Sequence, residues 1–211
     1  MTDEPPFRFV IWDDELEKTP SGSRALMTSY VTTELWIGKS APSRELNQDL
    51  ACDIHRMLFG GVFPRAAGKC RHNATGFDQP VSFDGIPAPH FRDLPEMLNE
   101  WSQKIRYETR AIANWMDEDS PERHLTNVYK IAAYAHCELV RMHPFVNGNG
   151  RTARTCLNYF AHRYRLKPMI IHRERDDKRT PYIVAANDWV RYHEPEPFIA
   201  FLRKTMPPLQ S

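Results

Sequence analysis

The sequence predicts an all-α fold, a helical bundle carrying one small β-hairpin, and three observations support this. Apolar residues recur at three- and four-residue spacing through most of the chain. Seventeen prolines against nine glycines stop those stripes at short intervals. A single Asp-Gly step is flanked by alternating apolar residues, the pattern of a hairpin. The first 43 residues are read as an extension packed on the core, followed by one domain over 44–205 and a tail over 206–211.

From Arg44 to Phe59, the residues Leu46, Leu50, Ile54, Met57 and Leu58 keep helical spacing, and Gly60-Gly61 closes that helix. Residues 60–91 hold most of the turn formers, among them Pro80-Val81-Ser82-Phe83-Asp84-Gly85-Ile86, the candidate hairpin. Asp93 with Glu96 resembles a capping box, and Leu94, Met97, Leu98, Trp101, Ile105 and Ile112 share one face of a long helix running to about Met116. Ser120-Pro121 has the form of an N-cap and a first-turn proline, and Leu125, Val128, Ala132, Ala135 and Leu139 continue as one stripe. That helix must stop near His143, because Pro144 steers its predecessor out of the α region. Leu157, Phe160, Ala161 and Tyr164 mark another helix, beginning after Gly150 and ending before Pro168. Thr180-Pro181 and Glu194-Pro195-Glu196-Pro197 open two short C-terminal helices. The first carries Tyr182, Ile183, Ala186 and Val190, the second Phe198, Ile199, Phe201 and Leu202.

With 28 basic and 27 acidic residues the net charge is +1, which argues against a general nucleic-acid binder. No apolar run is long enough to span a membrane and the acidic start has no signal-peptide form, so the chain reads as cytoplasmic, or as delivered into a host cell without a classical signal peptide. Cys52, Cys70, Cys137 and Cys156 are far apart in sequence and form no Cys-x-x-Cys pair. This argues against a disulfide framework or a structural zinc site and predicts reduced core thiols. Trp36, Trp101, Trp115 and Trp189 fall on or near apolar stripes and are read as core. The charge run over 173–179 is read as a solvated loop.

The chemistry concentrates between the two central helices, in His143-Pro144-Phe145-Val146-Asn147-Gly148-Asn149-Gly150-Arg151-Thr152-Ala153-Arg154. A glycine-rich turn feeding a helix N-terminus presents unpaired N–H groups and the positive dipole end to an anion. Arg151 and Arg154, three residues apart, place two cations in the first turns of that helix, where they oppose the macrodipole. A bound polyphosphate reverses the sign of that cost. His143 closes the preceding helix, and an imidazole of ordinary pKa about 6.5 suits a general base near neutral pH. Base, anion cradle and arginines together suit attack of a hydroxyl on a phosphoryl group. A bland helix–helix turn with a capping histidine and solvated arginines is the competing reading.

This segment resembles the signature of Fic domains, H-P-F-x-[D/E]-G-N-G-R-x-x-R, at every fixed position but one. Ile54 to Phe59 with Ala67-Gly68-Lys69-Cys70-Arg71 resembles the helix and A-G-x-x-R turn that precede the family's flap, and Tyr182 to Leu202 resembles its C-terminal helices. The resemblance implies that His143 takes the proton from a Ser, Thr or Tyr hydroxyl of a target protein, which attacks the α-phosphate of ATP. It implies that Phe145 supports the loop, that Gly148, Asn149 and Gly150 cradle the phosphates, and that Arg151 and Arg154 contact the terminal phosphates. A flap within 72–90 aligns the target by strand addition. The departure is Asn147, where the family has the acidic residue that binds Mg²⁺. A neutral amide is the poorer ligand, so the resemblance implies a nucleotide-binding Asn147, ATP as substrate and weakened metal dependence. The alternatives it leaves are a non-catalytic nucleotide- or partner-binding module and a transferase using another phosphate donor. Many Fic proteins are silenced by a helix with [S/T]-x-x-x-E-[G/N], but here no Glu is followed by Gly or Asn. A built-in inhibitory helix of that pattern is therefore not expected, leaving a separate inhibitor protein or none.

Overall fold

The computed structural model describes residues 12–74, 76–114, 121–169 and 180–209. Among them are eight helices and one hairpin: α1 (Asp14–Lys18), α2 (Pro20–Ser40), α3 (Gln48–Phe59), β1 (Ser82–Phe83), β2 (Ile86–Pro87), α4 (Leu94–Asn114), α5 (Pro121–Met142), α6 (Asn149–Arg163), α7 (Pro181–Tyr192) and α8 (Glu196–Thr205). The architecture is therefore mostly helical with a two-stranded antiparallel sheet, as the periodicity predicts.

The core is built around α5 and α6. The α5 stripe is buried almost all round, with Val128, Ala132, Ala135 and Leu139 inaccessible or nearly so, because α4, α6, α7 and α8 all pack on it. Small residues allow this crowding: Ala132, Ala133 and Ala135 let neighbouring helices approach closely. From α4, Trp101 fills the gap and donates its Nε1–H to the carbonyl of Ala135 at 3.0 Å, which satisfies the indole's one polar group in the core. On its other side α6 meets α2 and α3, burying Ala153, Cys156, Leu157 and Phe160.

The helix boundaries follow capping chemistry. Asn47 Oδ1 accepts from Leu50 N at 2.9 Å, so α3 starts at Gln48 and the turn 44–47 lies outside it, although Leu46 is buried. Thr180 caps Ile183 with Pro181 at the first helical position, as expected. Pro121 opens α5; its expected cap Ser120, the end of the preceding helix near Met116, and the charge run over 173–179 lie outside the described residues. The last helix of the central pair starts at Asn149 and not after Gly150, because Gly148 is the residue that turns the chain.

Residues 12–43 contain two helices, and α2 buries Ile37 in the core. Two expectations need correction. Among the described tryptophans Trp101 is the fully buried one; Trp36 and Trp189 are half-buried against the core, the latter donating to Glu138 Oε1 at 2.8 Å, while Trp115 lies outside the described residues. Cys137 and Cys156 are core thiols, but Cys52 and Cys70 are half-buried.

Two buried imidazoles give the fold a pH signature. His136 is fully buried, stacks on Phe198 at 4.6 Å and meets the Tyr182 hydroxyl at 2.9 Å; burial pushes its pKa down to about 3. Burial pushes His55 down to about 4. Below pH 6.5 the unfolded chain binds more protons at these sites than the folded one, so stability falls as pH falls from about 6.5 toward 4. Thermal unfolding followed across that range should show Tm dropping, and a flat profile contradicts neutral burial of these rings.

Candidate active site

The turn from α5 to α6 brings the sequence-predicted residues together. α5 ends when His143 adopts φ +46, a left-handed conformation that reverses the chain before Pro144. That strain is offset by its own ring: Nδ1 lies 2.6 Å from the Val140 carbonyl, which can only accept, so Nδ1 carries the proton and Nε2 keeps its lone pair. Burial lowers the His143 pKa below its ordinary value, the Val140 bond opposes that, and the charge of Arg71 adds to the lowering.

Gly148, at φ +78, has to be glycine on two counts. The left-handed backbone disfavours any side chain, and a Cβ here would lie 2.5 Å from the Phe59 ring and 3.2 Å from His55 Nε2. Asn149, the next residue, is buried and turns its side chain inward. Its Oδ1 accepts from Phe145 N at 2.9 Å and its Nδ2 donates to Phe145 O at 2.8 Å, closing the loop on itself. The first N–H groups of α6 remain without intrahelical partners, since the first α-type bond into Gly148 comes from Thr152 N. The N–H groups of Asn149 and Gly150 are thus left without intrahelical acceptors, that of Gly148 goes to Asn147 Oδ1, and the Asn149 side chain is a brace.

Behind the loop stand two residues to which the sequence reading gave no role. His55 of α3 stacks on buried Phe145 with ring centroids 3.9 Å apart. Its Nδ1 accepts from Gly68 N at 2.8 Å, leaving Nε2–H to donate to the Asn147 carbonyl at 3.0 Å. Arg71, 5% exposed, donates from Nε to the His143 carbonyl at 2.8 Å and from Nη2 to Pro89 O at 2.8 Å and Met142 O at 3.2 Å; its backbone N–H reaches Pro144 O at 2.7 Å. One guanidinium therefore satisfies carbonyls at the C-terminus of α5 and ties them to the base of the hairpin. The signal for both was the stretch resembling the Fic helix and A-G-x-x-R turn, but what each residue grips depends on tertiary contact.

The hairpin pairs Ser82 with Pro87 and Phe83 with Ile86 around a two-residue turn, Asp84 at φ +48 and Gly85 at φ +77. Asn187 Nδ2 of α7 donates to Asp84 Oδ2 at 2.6 Å and Arg191 Nη2 to the Asp84 carbonyl at 3.0 Å, pinning the tip. The Phe83 ring lies 6.2 Å from that of His143.

The two arginines diverge. Arg154 sets its guanidinium 5.6 Å from the Tyr182 ring of α7. Arg151 lies 4.5 Å over the Phe59 ring and is held bidentately by Glu17 of α1, with both N–O distances 2.8 Å. Asp14, also on α1, accepts from Asn147 Nδ2 at 2.9 Å, while Asn147 Oδ1 accepts from Gly148 N at 2.6 Å. Trp12 anchors this arm, stacking on Phe63 at 4.0 Å and donating Nε1–H to Glu17 at 3.2 Å. The fold-back depends on Gly22, where a Cβ would lie 2.0 Å from the Leu16 carbonyl oxygen. Two carboxylates thus occupy the groups that the sequence assigns to phosphate. A five-residue helix is too short to show periodicity, so only its Asp13 cap and the Thr19-Pro20 start of α2 announced it.

A family model described as Fic/DOC family matches residues 45–161, more than half of the sequence. The chain belongs to the Fic/DOC family. It is 30% identical over 162 residues to the protein adenylyltransferase Fic of Nematostella vectensis, covering 77% of this chain and 33% of that one, and 30% identical over 150 residues to that of Aedes aegypti, covering 71% and 26%. The chain thus spans about a quarter to a third of the length of these relatives. The N-terminal Fic domain of a VirB-translocated effector of Bartonella quintana superposes with TM-score 0.64 at 20% identity, covering 93% of this chain and 88% of that one. BepC of Bartonella tribocorum, with bound AMPPNP, gives 0.63 at 16% identity, covering 92% and 90%.

Within the Fic motif, Asn147 turns an N–H donor outward where the family signature has a carboxylate, and among the described residues no three His, Cys, Asp or Glu converge on a metal-binding position. A hard dication requires oxygen donors of net negative charge. Asn147 therefore puts a neutral amide, the poorer Mg²⁺ ligand, where the signature has an anionic oxygen.

Proposed function

We propose that this Fic protein transfers AMP from ATP to a Ser, Thr or Tyr hydroxyl of a target protein. The observation that carries the reading is the His143 tautomer. With Nδ1–H committed to the Val140 carbonyl, Nε2 is a neutral acceptor at the mouth of an anion cradle, positioned to take a proton from an incoming hydroxyl. The oxygen then attacks the α-phosphate and pyrophosphate leaves. The N–H groups of Asn149 and Gly150, and that of Gly148 once Asn147 Oδ1 releases it, hold the phosphates together with Arg151 and Arg154 and meet the charge that builds on the leaving group. Target backbone adds to an edge of the 82–87 hairpin, beside which Phe83 faces His143. The protein relatives named adenylyltransferases and the AMPPNP-bound BepC support ATP as donor.

The arm is a gate in this scheme: Glu17 has to leave Arg151 and Asp14 has to leave Asn147 before a triphosphate takes their places. The covered state favours one second reading, a nucleotide-binding module without transfer. Incubation of the protein with ATP and cell lysate, followed by peptide mass spectrometry, separates them. Phosphoadenosine adducts on hydroxyl side chains support transfer. Nucleotide binding with no adduct at any metal concentration leaves the module.

Two expected results test the pose. Arg154→Ala weakens binding of ATP more than of AMP, because its charge-assisted contact falls on the distal phosphates; equal losses in calorimetry refute that placement. Asn147→Asp sets the carboxylate at 147 against that of Asp14 and, once α1 has moved away, beside the triphosphate. Nucleotide binding should then require Mg²⁺, where the wild type depends on it little. A wild type already strongly Mg²⁺-dependent and unchanged by Asn147→Asp overturns this.

A further inference from the structure

Cys52 and Cys70 are far apart in sequence, yet their sulfurs lie 3.8 Å apart, and both are half-buried rather than sealed in the core. They stand on the two pieces that together hold the catalytic loop. Cys52 sits on α3 one turn before His55, the ring that backs Phe145 and grips the Asn147 carbonyl. Cys70 bridges Phe145 through its backbone and directly precedes Arg71, which holds the carbonyls of Met142, His143 and Pro144. A disulfide bond is about 2.05 Å long, so closing this pair draws the 66–71 turn toward α3 by a distance on the order of 1–2 Å, shared between side-chain rotation and backbone movement.

We propose that Cys52 and Cys70 are a reversible thiol–disulfide switch that displaces the Arg71 brace and with it His143. Cys52 is the attacking sulfur. The two sulfurs share a hydrogen bond; that bond and the Arg56 charge lower the Cys52 thiol against the opposing effect of burial, while the bond and burial raise Cys70. With hydrogen peroxide as oxidant, the Cys52 thiolate attacks one peroxide oxygen, the O–O bond breaks, and hydroxide leaves. The Cys70 sulfur then attacks the resulting sulfenic acid, forming S–S and releasing water. The Cys70 proton and the proton first lost by Cys52 account for both waters, and two thiols are oxidised as one peroxide is reduced. In a reducing compartment such a bond is transient and is reopened by a dithiol. The consequence for activity rests on the transfer reading. A misplacement of about 1 Å at a catalytic group costs on the order of a hundredfold in rate, so the oxidised form should transfer at least about tenfold more slowly.

The test oxidises the full chain with hydrogen peroxide, alkylates free thiols, maps peptides by mass spectrometry, and follows the His143 ring by NMR before and after dithiothreitol. The expected result is a Cys52–Cys70 linked peptide and shifted His143 resonances, both reversed by reduction and absent in Cys52→Ser and Cys70→Ser. Over-oxidation of Cys52 without a cross-link overturns the proposal, as does a cross-link that leaves His143 unmoved. Because neither readout requires transfer, a reversible cross-link that moves His143 in a protein showing no AMP transfer in either state supports the switch and refutes the proposed function instead.

Discussion

His143→Ala should reduce AMP transfer by roughly 10²- to 10⁴-fold, the range removed with a general base, while ATP binding measured by calorimetry stays close to wild type. The split follows from the geometry. In the proposed reaction the imidazole takes the proton of the incoming hydroxyl, whereas the phosphates lie against the α6 N-terminus and the arginines; the ring's own bond goes to the Val140 carbonyl. The pH profile of kcat/KM adds a second check. Burial lowers the His143 pKa, so the neutral ring persists below pH 6.5 and the acid limb of the profile should fall at a lower pH than free histidine would give. Equal transfer by the mutant, or an acid limb above 6.5, removes His143 from the role of base.

Glu17→Ala should strengthen nucleotide binding. The pair it breaks is bidentate and partly buried, with Glu17 13% and Arg151 32% exposed. Charge-assisted bonds of this kind, discounted for partial exposure, are worth about 1–2 kcal/mol. Removing a competitor of that strength raises apparent ATP affinity roughly 5- to 30-fold, because the binding-competent population grows by that factor. Gly22→Ala provides an independent route to the same state, since the added Cβ displaces Leu16 and with it the whole of α1. Both variants should bind ATP more tightly and transfer faster. If both bind it no better than wild type, α1 is a fixed wall of the site and not a gate.

The central helices and the loop between them were legible because their rules are local. A 3.6-residue stripe, a proline after His143 and a Gly-Asn-Gly turn each leave a mark within a few residues, and the hairpin needed only Asp84-Gly85. What was missed is held by contacts across the chain. Glu17 meets Arg151 over 134 positions and Arg71 meets His143 over 72. Nothing near Cys52 indicates that Cys70 lies beside it. The arm also amends the expectation about inhibition. The [S/T]-x-x-x-E-[G/N] pattern is absent, yet a glutamate, Glu17 of α1, grips Arg151 of the motif. Asn149 shows the converse: its place in the motif was plain, but only the structure shows that its side chain braces Phe145.

The central claim is that a protein hydroxyl attacks the α-phosphate of ATP with His143 as base. Parallel incubations of wild type, Glu17→Ala and His143→Ala with lysate and ATP radiolabelled at either the α- or the γ-phosphate test it most directly. The account predicts acid-stable label on protein from α-labelled ATP alone, strongest with Glu17→Ala and absent with His143→Ala. Label arriving from the γ-phosphate, or α-label undiminished by His143→Ala, would contradict it.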